Sequence, residues 1–106
     1  MRNNIIIEKL ITYTEKILRY CDGSNYMTFS ADSKLVEACV FNLSQMGELA
    51  NRIDDAFAAA HPEIPWRYLY GLRNRIVHDY DGVNLKLIWE IIEFDLPDLL
   101  ENLKQI

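Results

Sequence analysis

From residue 4 to about residue 21, Ile7, Leu10, Ile11, Thr14, Ile17, Leu18 and Cys21 recur at three- and four-residue steps, the period of a helix with one apolar face. Glu8, Lys9, Glu15, Lys16 and Arg19 fill much of the other side. Asp22-Gly23-Ser24-Asn25 stops the pattern with residues that favour turns. A second helix is expected to start between Ser30 and Ser33, where Ser and Asp side chains can cap free backbone N–H groups. Its stripe runs through Leu35, Ala38, Cys39, Asn42, Leu43, Met46, Leu49, Ala50 and Ile53, and helix is predicted to continue to about Ala60. At roughly thirty residues it exceeds the usual ~10–14. Gly47 lies inside it at a cost of about 1 kcal/mol relative to Ala, so either a close contact or a bend is expected there.

Two prolines in His61-Pro62-Glu63-Ile64-Pro65 end the second helix. Pro65 suits the first position of a third, where its missing N–H is not needed. That helix carries Trp66, Leu69, Tyr70, Leu72, Ile76 and Val77, and Asp81-Gly82 is a turn signal after it. Asn84 is placed to cap a fourth helix whose apolar side is Leu85, Ile88, Trp89, Ile91, Ile92, Leu96, Leu99, Leu100 and Leu103. Pro97 falls within that pattern and is expected to kink the helix near Glu93, whose carbonyl it meets. Four helices with short connections predict an all-α fold, an antiparallel four-helix bundle with its last helix kinked at Pro97. Strand signals, repeats and linkers are missing, so residues 1–106 read as a single domain.

Composition narrows the function. The net charge is -5, from 11 basic and 16 acidic side chains, which argues against binding nucleic acid with the whole surface. A local basic site is compatible with it, because Arg67, Arg73 and Arg75 fall within nine positions with His61 and His78 nearby. Cys21 and Cys39 form no C-x-x-C pair and match no zinc or disulfide framework, so buried, reduced thiols and no metal are expected. No apolar run approaches the ~20 residues of a membrane span, and no signal peptide is recognisable. A soluble, cytoplasmic protein without membrane contact is expected.

The densest chemistry lies in Arg73-Asn74-Arg75-Ile76-Val77-His78-Asp79-Tyr80. A permanently charged arginine and a histidine that titrates near neutrality are the groups that metal-free phosphodiester chemistry needs. His78 suits the general base on a ribose 2′-OH or the general acid on the leaving 5′-oxygen. Arg73 suits the charge that builds on the phosphate oxygens, and Asn74 the orientation of His78 or the phosphate. The 2′-OH makes the substrate RNA. Asn74 and His78, four apart, share a helix face, whereas Arg73 and His78 stand about 140° apart at ~100° per residue. One site therefore needs a loosened helix end or a second chain, and both are expected. The plain alternative is that Arg73 and His78 only cap and bridge, since a histidine near a helix C-terminus is favoured by the helix dipole.

Residues 64 to 80, from Ile64-Pro65-Trp66-Arg67 through Gly71-Leu72-Arg73-Asn74 to His78-Asp79-Tyr80, resemble the HepT-like branch of the HEPN family. Gly82-Val83, the segment from Ile88-Trp89-Glu90-Ile91-Ile92 to Asp95-Leu96-Pro97, and the pair Gly47-Glu48 extend the resemblance. It covers most of the chain and is weakest in the N-terminal third. The resemblance implies a small helical ribonuclease toxin that needs no cofactor and forms its cleft as a homodimer. The family's Arg-x4-His-x-Tyr motif falls on Arg73, His78 and Tyr80, with Asn74 the usual polar neighbour. It further implies, as in a type VII toxin–antitoxin pair, an MntA-like nucleotidyltransferase antitoxin that moves AMP from ATP onto Tyr80. A bulky anion two residues from His78 blocks the cleft and repels the RNA backbone.

Other residues divide between chemistry and packing. Arg67 and Arg75 are candidates for RNA phosphate contacts or for plain solvent exposure. Trp66 and Trp89 are assigned to the core, Tyr68 and Tyr70 to packing rather than base stacking, and His61 to a loop. Glu48 either pairs with Arg73 or another cation of the motif helix, or is solvated. Gly47 and Gly71 are both candidates for close backbone approach. The competing function is a non-catalytic HEPN subunit that binds nucleotide or RNA for a nucleotidyltransferase partner.

Overall fold

A computed structural model describes residues 2–77 and 84–106, with Val77 by its backbone alone. Helix α1 (Arg2–Tyr20) buries Ile6, Ile7, Leu10, Thr14 and Ile17 on the face that the apolar period marks. The buried Thr14 hydroxyl donates to the Leu10 carbonyl at 2.7 Å, so a polar group sits in the core without an unmet bond. The chain then turns at Gly23, whose φ of 80° is the left-handed conformation that glycine adopts without strain.

A short helix follows where only a turn is expected from the sequence. Helix α2 (Tyr26–Ala31) is closed by a reciprocal cap. Thr28 N–H donates to Asn25 Oδ1 and Asn25 N–H to Thr28 Oγ1, both at 2.9 Å. Its single turn and a half is held by Phe29, fully buried and 5.2 Å from the Trp89 ring. Asp32 ends α2 and caps α3 (Ser33–Ala50), accepting from Leu35 N–H at 3.1 Å, so α3 starts within the expected window.

The long second helix ends ten residues earlier than expected. After Ala50 the Asn51 amide side chain donates to the Gly47 carbonyl at 2.9 Å, competing with continuation of the helix. Residues 51–54 turn, Asn3 on α1 donates to Asp54 Oδ2 at 3.1 Å, and α4 (Asp55–Ala60) begins as a separate helix. The third helix is likewise two pieces, α5 (Trp66–Tyr70) and α6 (Leu72–Val77), with Pro65 just before the first helical residue.

Helix α7 (Leu85–Glu90) is capped by Asn84, whose Oδ1 accepts from Leu87 N–H at 3.0 Å. It runs into a π-helical turn, Ile91–Asp95, and then α8 (Leu96–Lys104). Leu96 N–H reaches back five residues to the Ile91 carbonyl. Widening the helix at this point makes room ahead of Pro97, whose ring opposes the Glu93 carbonyl in a regular α-helix.

The fold is an all-α helical bundle of the HEPN type, and no strand occurs among the described residues. Helix α1 packs on α3 and α8, α3 on α5 and α6, and α2 on α7. Leu10, Ile17, Leu43, Met46, Leu69, Leu72 and Leu96 form its fully buried centre. The two cysteines, distant in sequence and lacking any motif, meet in this core with their sulfurs 3.6 Å apart. The hydrogen bond with Cys21, and then burial, push the Cys39 thiol well above its ordinary range. No described helix is long and apolar enough to cross a membrane.

Candidate active site

The motif helix is positioned by its apolar side. Trp66 is buried and its Nε1–H donates to the His61 carbonyl at 2.9 Å, which fixes the start of α5 after the proline turn. Leu69, Leu72 and Ile76 are buried against the bundle, leaving Arg73, Asn74 and Arg75 on the outside of α6. Gly71 separates the two helices at φ -88° and ψ -2°.

Gly47 on α3 is where the two backbones meet. A Cβ built there lies 3.2 Å from the Leu69 carbonyl oxygen, 3.4 Å from Arg73 N and 3.6 Å from Leu72 Cβ. The helix-weakening glycine is therefore a contact residue rather than a bend. At Gly71 an added Cβ meets only carbonyls of its own turn, at 3.8 Å and 3.9 Å, so close approach belongs to Gly47 alone of the two.

This contact sets Glu48 beneath Arg73. Arg73 Nη1 donates to Glu48 Oε1 at 2.5 Å, which resolves the partner of Glu48 among the alternatives left by the sequence. The Arg73 side chain is 62% exposed and that of Glu48 44%. An ion pair so exposed contributes at most about 1 kcal/mol to stability. Its consequence is orientation: among the described residues one of five guanidinium N–H donors is anchored and the others are unbonded.

Arg73 lines a cleft of about 620 Å³ together with residues of α1 and α3. Its walls are Lys9, Tyr13, Ser44, Gln45, Glu48, Leu49, Arg52 and Arg73. Three cations face one carboxylate there, on a chain whose net charge is -5. Lys9 and Arg52 were not singled out by the sequence pattern, because only the packing of α1 on α3 brings them to Arg73.

The other motif residues separate. Asn74 is exposed on α6 next to Arg73. Arg75 stands about 200° from Arg73 around the helix and its guanidinium lies 5.0 Å from the Tyr68 ring centroid. Tyr68 in turn donates to Asp95 Oδ2 at 2.7 Å. Desolvation, then that carboxylate, push the Tyr68 phenol far above its ordinary range. Arg67 is exposed, and of the three arginines only Arg73 lines the cleft. His61, in the loop after α4, lies 3.2 Å from Glu63 and outside the cleft. His78 and Tyr80, with the Asp81-Gly82 turn, lie outside the described residues. Among the described residues no three His, Cys, Asp or Glu side chains gather as metal ligands.

The ribonuclease HepT-like family model matches residues 10–106. An RNase-named protein of Caldanaerobacter subterraneus subsp. tengcongensis is 33% identical over 101 residues, spanning 89% of this chain and 90% of the relative. A protein of Thermococcus cleftensis named as a ribonuclease HepT is 35% identical over 93 residues, spanning 88% and 84%. An RNase-named protein of Methanocaldococcus jannaschii is 30% identical over 88 residues, spanning 80% and 73%. No solved structure matches the chain.

Proposed function

The chain belongs to the ribonuclease HepT-like family, and from that premise we propose that it is a metal-independent endoribonuclease, the toxin of a toxin–antitoxin pair. The observation that best supports the reading is the Arg73 guanidinium, held by Glu48 on the wall of a cationic cleft, with most of its donors unbonded among the described residues. The ribose 2′-oxygen attacks the adjacent phosphorus and loses its proton to a base. A P–O2′ bond forms, the P–O5′ bond breaks, and an acid delivers a proton to the leaving 5′-oxygen. The products are a 2′,3′-cyclic phosphate and a 5′-hydroxyl. His78 supplies the base or the acid, and a homodimer supplies a second histidine for the other task. Arg73 stabilises the phosphorane oxygens and Asn74 orients. Arg67 and Arg75 are outer contacts to the RNA backbone rather than reacting groups.

Control falls on Tyr80. An MntA-like nucleotidyltransferase brings ATP, the Tyr80 oxygen attacks the α-phosphorus, and pyrophosphate leaves. The added AMP places an anion two residues from His78 and repels RNA. The test is cleavage of RNA by the purified protein in EDTA, with Arg73→Ala and His78→Ala both inactive. Undiminished cutting by both variants rejects the assignment, and binding of RNA with no cutting by the wild type favours the partner-subunit alternative.

A further inference from the structure

The cleft beside Arg73 continues along the bundle. A second depression of about 570 Å³ lies in the same α1–α3 groove, and its walls include Tyr13, Lys16, Tyr20, Lys34 and Phe41. Tyr13 belongs to both, so the two are contiguous. From Lys34 to Leu49, α3 advances about 22 Å at ~1.5 Å per residue. Lys9, Lys16, Lys34 and Arg52 add four cations to Arg73 along this line. Only Glu37 and Glu48 oppose them, and Glu48 is bonded to Arg73. Among the described residues none of these four cations has a carboxylate within ion-pair distance. Two aromatic rings of the groove stand open, Phe41 at 60% and Tyr20 at 42% exposed, while Tyr13 is half-buried with Lys16 Nζ 5.8 Å from its ring centroid.

We propose that the α1–α3 groove is a track for the backbone of single-stranded RNA, leading its phosphates to Arg73. Lys9 and Arg52 hold the phosphates next to the reacting one, and Phe41, about midway along the track, gives a base a face to stack on. The direction of the track rests on the ribonuclease reading above. A line of cations interleaved with open aromatics is what sequence-tolerant single-strand binding requires. It also reconciles an acidic protein with a polyanionic substrate, because five of the eleven basic side chains line one groove against two carboxylates. Lys9 and Arg52 are positioning residues, not reacting ones.

The test is fluorescence anisotropy of the full chain with a labelled single-stranded 2′-O-methyl RNA, whose attacking hydroxyl is blocked. Lys9→Gln and Arg52→Gln each weaken binding about three- to tenfold and lower the log Kd–log salt slope by about 0.7. Phe41→Ala weakens it about fivefold or more. Lys86→Gln, exposed on α7 outside the groove, changes neither. With cleavable RNA the losses from Lys9→Gln and Arg52→Gln fall in KM rather than kcat. Wild-type affinity and slope in all three groove variants overturn the proposal. So does a Phe41→Ala protein that loses its dimer while binding RNA normally, which assigns the face to a second copy. If the groove variants bind normally while the wild type still cuts RNA, the track alone fails. If nothing cuts but the stated losses appear, the ribonuclease reading fails and the track stands.

Discussion

Gly47→Ala reads out the contact on which the site is built, and its sign is the opposite of what helix propensity gives. In an open helix the change stabilises by about 1 kcal/mol. Here the new methyl group lies 3.2 Å from the Leu69 carbonyl and 3.4 Å from Arg73 N, tighter than ordinary van der Waals contact. Both partners are backbone, and Leu69 and Leu72 are fully buried, so α5 and α6 have to move outward by tenths of an ångström. Overpacking of this kind costs about 1–3 kcal/mol. Set against the propensity gain, a net loss of about 1 kcal/mol is expected, read as a fall of about 4–8 °C in Tm for a domain of this size. Gly71→Ala is the matched control. Its backbone is right-handed and its Cβ has room, so a gain of about 0.4–1 kcal/mol is expected. Urea unfolding of both variants measures the pair of signs. The same outward movement shifts Arg73 relative to Glu48, so Gly47→Ala also lowers RNA cleavage while Gly71→Ala keeps it. A Gly47→Ala protein stabilised by about 1 kcal/mol refutes the close-contact account.

Glu48→Ala changes stability by less than about 1 kcal/mol, because the pair is exposed, yet lowers kcat/KM for RNA about tenfold or more by freeing Arg73; equal activity refutes the orienting role. The sulfurs of Cys21 and Cys39 are close enough that diamide, taking up two electrons and two protons from the pair, is expected to join them within one chain. The oxidised protein should be about 3 kcal/mol more stable to urea, for a loop spanning 18 residues; cross-linking only between chains contradicts that placement. Tyr68 holds its proton more tightly folded than unfolded. Its contribution to stability is therefore complete below pH ~10 and falls as pH rises further, since the unfolded chain ionises first. Tyr68→Phe should flatten that alkaline limb, and an unchanged limb counts against the Tyr68–Asp95 bond.

What the chain discloses by pattern is the set of long amphipathic stripes. Helix α1, the start of α3 at Ser33 and the cap at Asn84 follow from period and capping chemistry that act within a few residues. Helix α2 has a local signal, because Asn25 and Thr28 stand at the capping-box spacing, but Asp22-Gly23-Ser24-Asn25 reads equally as a turn. The break after Ala50 was hidden because apolar and alanine-rich sequence runs on to Ala60, while the competing bond from Asn51 to Gly47 is visible only in three dimensions. The site divides along the same line. Arg73 and Asn74 are legible as a motif, and the Glu48 partnership was one of several open pairings until Gly47 brought α3 against α6. Lys9 and Arg52 are 43 positions apart, carry no motif, and become neighbours only through helix packing.

The most direct measurement is the chemistry of the RNA ends left by the purified protein in EDTA, read by mass spectrometry of a short substrate of defined sequence. Attack by the neighbouring 2′-oxygen, with Arg73 on the phosphate and a histidine moving the proton, leaves a 2′,3′-cyclic phosphate and a 5′-hydroxyl. A 2′-deoxy nucleotide at the cleaved step stops the cut, and Arg73→Ala leaves the substrate whole. Products ending in 3′-hydroxyl and 5′-phosphate, or a substrate cut as well with the 2′-oxygen removed, contradict the account.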